Sequence, residues 1–155
     1  MEGFAFTPAE RTLFAALNQR KVRFMLIGMG AAVLEGAPFA TQDIDLWFED
    51  WKSEDVKAAA GDAGGFVISG FGMQPPAFGG QDLDRLDIVL TAHGLEPFEI
   101  EYCRAIERDI EGIKLRVLPL DRVIASKRAI RREKDLAQLP ALEATQLARS
   151  RLRNL

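Results

Sequence analysis

Residues 40–50 read ATQDIDLWFED, and this run restricts the chain more than any other. Asp43 and Asp45 stand two apart where an apolar segment begins. In a strand such residues share a face. Asp43, Asp45, Trp47 and Glu49 therefore point one way, and Ile44, Leu46 and Phe48 point the other way, into a core. A carboxylate entering a core is costly unless a cation meets it. The cation is either an Arg or Lys side chain or a metal ion, and the two cases imply different proteins. The run RLDIVLT repeats the pattern, with Asp87, Val89 and Thr91 on one face and Leu86, Ile88 and Leu90 on the other. If the two strands are neighbours, Asp87 joins Asp43 and Asp45. Three carboxylates without a nearby nitrogen base make a hard-oxygen site suited to Mg²⁺ or Mn²⁺. A pair of such ions is a common device for moving a phosphoryl-type group. Asp-x-Asp alone is equally compatible with solvated acids at a strand end.

The 155 residues are enough for one domain with a core, and 48% hydrophobic with 28% charged residues is an ordinary globular mix. We expect a single domain over residues 1–155, with a core at about 20–118 and a helical part at about 119–155. No apolar run approaches the length of a membrane span. The opening MEGFAFTPAE lacks a basic-then-apolar leader pattern, and the single cysteine, Cys103, permits no internal disulfide. The expectation is a cytoplasmic protein with Cys103 as a small buried residue. The net charge of −3 is uneven: residues 121–155 hold nine basic and four acidic residues, +5, which leaves −8 for the rest. Extended duplex binding is not expected from so modest a basic segment.

Helix signals open at Thr7, with Pro8 in the first turn and Glu10 completing a capping box, over TPAERTLFAALNQR. VRFMLIG reads as a buried strand, AAVLEG as a short helix closed at Gly36, and SEDVKAAAGDAGG as a helix capped by Ser53. ISGFGMQPPAFGGQD reads as a loop, and its residues 70–81 as a candidate cleft lining. FEIEYC reads as a strand or a short helix, and RDIEGIKLRVLP as a hairpin turning at Glu111-Gly112. Two helices close the chain: LDRVIASKRAIRREKD, then LAQLPALEATQLARSRLRNL with a break near Pro140. The order suggests an α/β or α+β domain with a mixed sheet. Glu99 and Glu101 read as a solvated strand edge, with the alternative that they supply the third acid. Asp82 and Asp84 read as exposed, His93 as a turn residue, and Trp47 and Trp51 as packing residues. Lys127, Arg131 and Lys134 fall on one helical side, where they either meet phosphates or are solvated.

In FMLIGMGAAVLEG, Gly28 and Gly30 lie between a strand and a helix, where backbone N–H groups can receive an anion. A plain tight turn fits equally, and the dinucleotide fingerprint fails because Val33 stands at its third glycine. The combination is more specific. LIGMGAAVLEGAPFATQDIDLWFE resembles the nucleotidyltransferase superfamily of the DNA polymerase beta type. It is similar in particular to small bacterial members related to abortive-infection and toxin–antitoxin systems. Lys127 and Lys134-Asp135-Leu136 extend the resemblance, which covers roughly residues 20–145.

The resemblance implies Mg²⁺- or Mn²⁺-dependent transfer of a nucleoside monophosphate from an NTP to a hydroxyl of RNA, protein or a small molecule. It assigns Asp43, Asp45 and Asp87 to metal and catalysis, and Gly28, Gly30, Thr41 and Lys127 to the nucleotide. Met29 stands where the family has its second glycine, Phe39-Ala40 where it has a basic residue, and Gly30 or Ala31 where many members have Ser or Thr. Each departure removes a phosphate contact, so the alternative is a weak or inactive binding module, such as one half of a toxin–antitoxin pair with a partner protein. A third possibility is a plain structural domain whose aspartates pair with Arg or Lys.

Overall fold

The computed structural model describes residues 5–154; residues 1–4, part of the opening MEGFAFTPAE, lie outside the described residues. Helix α1, Pro8–Gln19, starts as the capping box requires: the Glu10 N–H donates to Thr7 Oγ1 at 3.1 Å, and the Thr7 N–H donates to Glu10 Oε1 at 2.8 Å. Strand β1, Phe24–Ile27, runs into helix α2, Gly28–Leu34, and a loop leads to strand β2, Ile44–Phe48. Helix α3, Glu54–Asp62, follows, capped by Ser53. Strands β3, Phe66–Ile68, β4, Ala77–Gly79, and β5, Leu86–Val89, come next. Helix α4 spans Phe98–Arg104, and the hairpin of β6, Ile106–Ile110, and β7, Ile113–Val117, turns through Glu111 and Gly112, both at positive φ. Helices α5, Leu120–Ile130, and α6, Glu133–Arg153, complete the chain.

The strands form one mixed seven-stranded sheet in the order β3-β4-β5-β2-β1-β7-β6. This matches the α+β expectation. β1 pairs antiparallel with β2, while β5 runs parallel to β2 and β7 parallel to β1. The two central strands are buried on both faces, as they must be when helices cover both sides. On one face the rings of Phe6, Phe14, Phe24, Phe48 and Phe78 follow one another at centroid distances of 5.1 to 6.1 Å, beneath α1. On the other face Trp47 meets Phe98 of α4 edge-on at 5.4 Å, so it is a packing residue. No helix among the described residues is long and apolar enough to cross a membrane.

Several sequence expectations are corrected. The Gly- and Pro-rich stretch contains β4 and the last residue of β3, because three-residue strands carry too little periodicity to read. FEIEYC is helical, and Glu101 is buried, not solvated: Arg122 Nε and Nη2 donate to its two oxygens at 2.9 and 2.6 Å. Glu99 takes Arg23 instead, at 2.6 and 2.9 Å. Cys103 is exposed, since α4 turns Phe98, Glu101 and Tyr102 inward and position 103 falls on the opposite side. α6 does not break at Pro140. Pro140 is on the exposed side, while Leu139 and Leu142 are buried, so the bond that proline removes is lost where water can replace it.

Four fully or almost fully buried acids tie elements of the fold together, and Glu10 shows how. Its carboxylate caps α1 and also receives Arg85 Nε and Nη2, both at 2.7 Å, from the residue just before β5. The Arg85 carbonyl accepts the Ile44 N–H at 2.8 Å, which starts the β2–β5 pairing. Removing Glu10 takes two charge-assisted bonds from Arg85, and it also removes the carboxylate half of the capping box. Glu10→Ala is expected to lower stability by about 2–4 kcal/mol, read from the urea midpoint at unchanged slope.

Candidate functional site

The β2–β5 register places Asp45 directly beside Asp87, and the β1–β2 register places Asp45 beside Ile27. Register partners share a face, so Asp45 and Asp87 lie together on the face that α4 covers. Asp43 precedes β2 by one residue and is exposed, as is Asp87; Asp45 is only partly accessible. Gly28 makes the room. Its φ is +66°, and a Cβ there would collide with Asp45 Oδ2. The glycine that ends β1 is required both by backbone conformation and by the carboxylate against it.

The three acids meet no cation of the protein. Among the described residues none of Asp43, Asp45 and Asp87 makes an ion pair within 4 Å. This overturns the reading of a structural domain whose aspartates pair with Arg or Lys. Burial, then Asp87 and Asp43, push the Asp45 carboxyl up to about 6, against the opposing pull of Lys127 and Lys134. Burial and Asp43 push Asp87 upward as well. The donor chemistry suits a hard divalent cation. Among the described residues, though, no group of three or more His, Cys, Asp or Glu side chains is already gathered as a metal site. The acids lie at the start of the neighbouring interior strands β2 and β5.

Asp43, Asp45 and Asp87 line a cleft of about 380 Å³. Lys127, Arg132 and Lys134 line the same cleft. Lys127 and Arg132 are held by Asp135, which is fully buried and accepts from Lys127 Nζ at 3.1 Å, Arg132 Nε at 2.7 Å and the Arg132 N–H at 3.1 Å. The Arg132 guanidinium, followed by Lys127, holds Asp135 down at about 2 despite its burial. Thr41 lines the cleft and donates its hydroxyl to the Asp43 carbonyl at 3.0 Å. Gly28 lines an adjoining cavity, whereas Gly30 is buried within α2 and Met29 faces the cleft in its place. Lys127 is nearly buried and already bound to Asp135.

Sequence reasoning passed over Arg132 and Gln138, which also line the cleft. It carried one helix through Arg131, but Arg131 is in the left-handed conformation, φ +57°, and ends α5. Arg131 therefore lines neither cavity beside the carboxylates, and Arg132 turns inward. The usable signal was Arg132 three residues before Asp135, an N-terminal capping spacing. The segment 70–81 does not line the cleft: residues 70, 72, 74 and 76 border a separate depression with Trp51, Lys52 and Leu90.

Three solved structures share this architecture. One is the solution structure of the antibiotic-resistance factor ANT(2'')-Ia, 16% identical, covering 94% of this chain and 90% of that one at a TM-score of 0.57. ANT(2'')-Ia in complex with adenylyl-2''-tobramycin is 17% identical, covering 93% of this chain and 94% of that one at 0.54. An antigenic nucleotidyltransferase-like protein from Paracoccidioides brasiliensis is 17% identical, covering 86% of this chain and 74% of that one at 0.55. The fold is that of the nucleotidyltransferases. No protein-family model matches the chain, and no curated protein matches its sequence.

Within this nucleotidyltransferase fold the unpaired acids have a measurable cost. Asp45 holds its proton more tightly folded than unfolded, so stability falls as pH rises from about 4 through 6. Asp45→Asn removes that loss. Without divalent ions, the variant should exceed the native chain by about 1–3 kcal/mol at pH 8, with the difference fading below pH 4. Thermal melts in a chelator from pH 4 to 8 read it.

Proposed function

We propose that the chain transfers a nucleoside monophosphate from an NTP to a hydroxyl acceptor, with Mg²⁺ or Mn²⁺ and release of pyrophosphate. One observation carries this reading: three carboxylates and three cations line one cleft, and among the described residues no ion pair joins the two sets. Opposite charges held apart in one cleft are matched by a ligand that carries both signs. A divalent cation against the carboxylates and a polyphosphate against Lys127, Arg132 and Lys134 supply both. The fold shared with ANT(2'')-Ia supports the same reading.

Asp43 and Asp45 would hold the divalent cation, with Asp87 beside them; the cation, when bound, would offset charge on the transferred phosphate. The acceptor oxygen attacks the α-phosphorus, the bond from that phosphorus to the bridging oxygen breaks, and pyrophosphate leaves. The acceptor proton passes to Asp87, whose raised affinity for protons suits a base. Lys127 and Arg132 neutralise the phosphates from a fixed position, because Asp135 holds both. They take over the charge that Phe39-Ala40 does not provide. Gly28 gives Asp45 its place; Thr41 orients the chain at Asp43. RNA, protein and small-molecule acceptors all fit this chemistry, and the adenylylated tobramycin held by ANT(2'')-Ia supports the small-molecule class.

Titration calorimetry with each NTP and Mg²⁺, and transfer of labelled nucleotide, test the reading. Asp87→Asn should keep NTP binding within a few-fold and lose about 10²-fold or more in turnover. Asp45→Ala should lose both metal-dependent binding and product. NTP binding without any transfer would favour the binding-module role, in a toxin–antitoxin pair or otherwise. No NTP binding at millimolar concentration would refute the transfer reading.

A further inference from the structure

Asp45 opens onto two cavities. Besides the cleft, a chamber of about 390 Å³ lies between the sheet and α5. Its walls are Ile27, Val89, Leu95, Leu118, Val123 and Ile130. It shares Asp45, Lys127 and Arg132 with the cleft, and these three are its only acidic, Lys or Arg residues. The charges thus stand at the waist between the two spaces, and the chamber beyond the waist is apolar apart from Thr91, His93 and Ser126. Ser126 is occupied: its hydroxyl donates to the His93 carbonyl at 2.8 Å. Among the described residues the Thr91 hydroxyl and the His93 ring have no hydrogen-bond partner, so both can serve a ligand.

We propose that this chamber receives the base of the nucleotide, with its phosphates at the waist, so that the apolar walls cover the faces of the ring and Thr91 and His93 meet its polar edge. The inference rests on the transfer reading above and adds where nucleotide selectivity resides. A polycationic acceptor is disfavoured in the chamber, because its walls are apolar and its waist already holds Lys127 and Arg132; such an acceptor would enter from the carboxylate side. The chamber is built before any ligand arrives. Gly94, at φ +76°, lies so close to α5 that a Cβ would collide with that of Ala129 and crowd the Ala125 carbonyl. This contact and the Ser126 bond clamp residues 91–95 onto α5.

Calorimetry in Mg²⁺ comparing NTPs with inorganic tripolyphosphate tests the proposal. The native chain should bind its preferred NTP about tenfold or more tighter than tripolyphosphate, the surplus coming from burial of the base. Ala92 lines the chamber and not the cleft, so Ala92→Phe should reduce that preference to about threefold or less while leaving tripolyphosphate affinity unchanged. Magnetisation transfer from the methyls of Val89, Leu95 and Ile130 to base protons of the bound NTP gives a readout that needs no variant. Equal affinity for NTP and tripolyphosphate, or no methyl-to-base transfer, overturns the chamber and leaves the transfer reading standing. Failure of both ligands to bind overturns the transfer reading and the chamber with it.

Discussion

The structure turns on the parallel register between β2 and β5, which sets Asp45 against Asp87 in the middle of the sheet. Two central strands buried on both faces would ordinarily carry only apolar side chains there. The chain tolerates a carboxylate because Gly28 has no Cβ, and the space the glycine leaves is taken by Asp45 Oδ2. A one-residue slip of β5 would send Asp87 to the aromatic face and Leu86 or Ile88 to the cleft. The register is secured at its start, where the Arg85 carbonyl meets the Ile44 N–H and the Arg85 guanidinium is locked to Glu10 of α1. A capping carboxylate at the chain's beginning thereby helps fix the site acid 77 positions later, Asp87.

Seven acids of this protein form two groups that differ in how their charge is met. Glu10, Glu35, Glu101 and Asp135 are almost completely buried, and each is bound by arginine or lysine at short range. Glu35 takes Arg108 of β6 at 2.7 Å and Arg149 of α6 at 3.1 Å, joining the end of α2 to both. These pairs serve position: Glu10, Glu35 and Glu101 each reach a residue 21 or more positions away, and Asp135 braces the junction of α5 and α6. Asp43, Asp45 and Asp87 are less buried, and among the described residues none of them makes an ion pair, although three cations line the same cleft. A fold able to pair its buried acids so completely has left three exposed or half-buried ones unmatched in one place. That contrast, more than the presence of acids, marks the site.

Much of this was legible because the governing signals are local. Thr7, Pro8 and Glu10 define the start of α1, Ser53 that of α3, and Glu111-Gly112 the hairpin, since caps and turns act over three or four residues. The shared face of Asp43 and Asp45 follows from the two-residue period of a strand. The neighbourhood of β2 and β5 does not: it arises from sheet order, and β3 and β4 were too short to announce that the strands around them form one sheet. Glu101 and Cys103 were misjudged for a related reason. In FEIEYC the alternation of acid and apolar residues imitates a strand, while the actual helix puts Glu101 inward against Arg122 and Cys103 outward. The partner that decides the matter lies 21 positions away and leaves no mark on the segment itself.

The C-terminal helices show how a chain can bring positive charge to a cleft lined by carboxylates. The loop before Asp43 carries Phe39 and Ala40, both lining the cleft and neither able to neutralise an anion. The cations come instead from the junction of α5 and α6. Arg131 adopts the left-handed conformation, a strained state for a residue with a side chain, and so ends α5 one turn after Lys127. The chain restarts at once with Arg132, and Asp135 draws Arg132 and Lys127 together beneath the first turn of α6. Had α5 continued, Arg131 and Lys134 would have followed Lys127 along one helical side and Arg132 would have faced away. The backbone cost at a single residue thus exchanges Arg131 for Arg132 at the cleft. It also sets the basic residues of the cleft on two helices braced by a buried acid, a stiffer support than a loop residue before β2 would give.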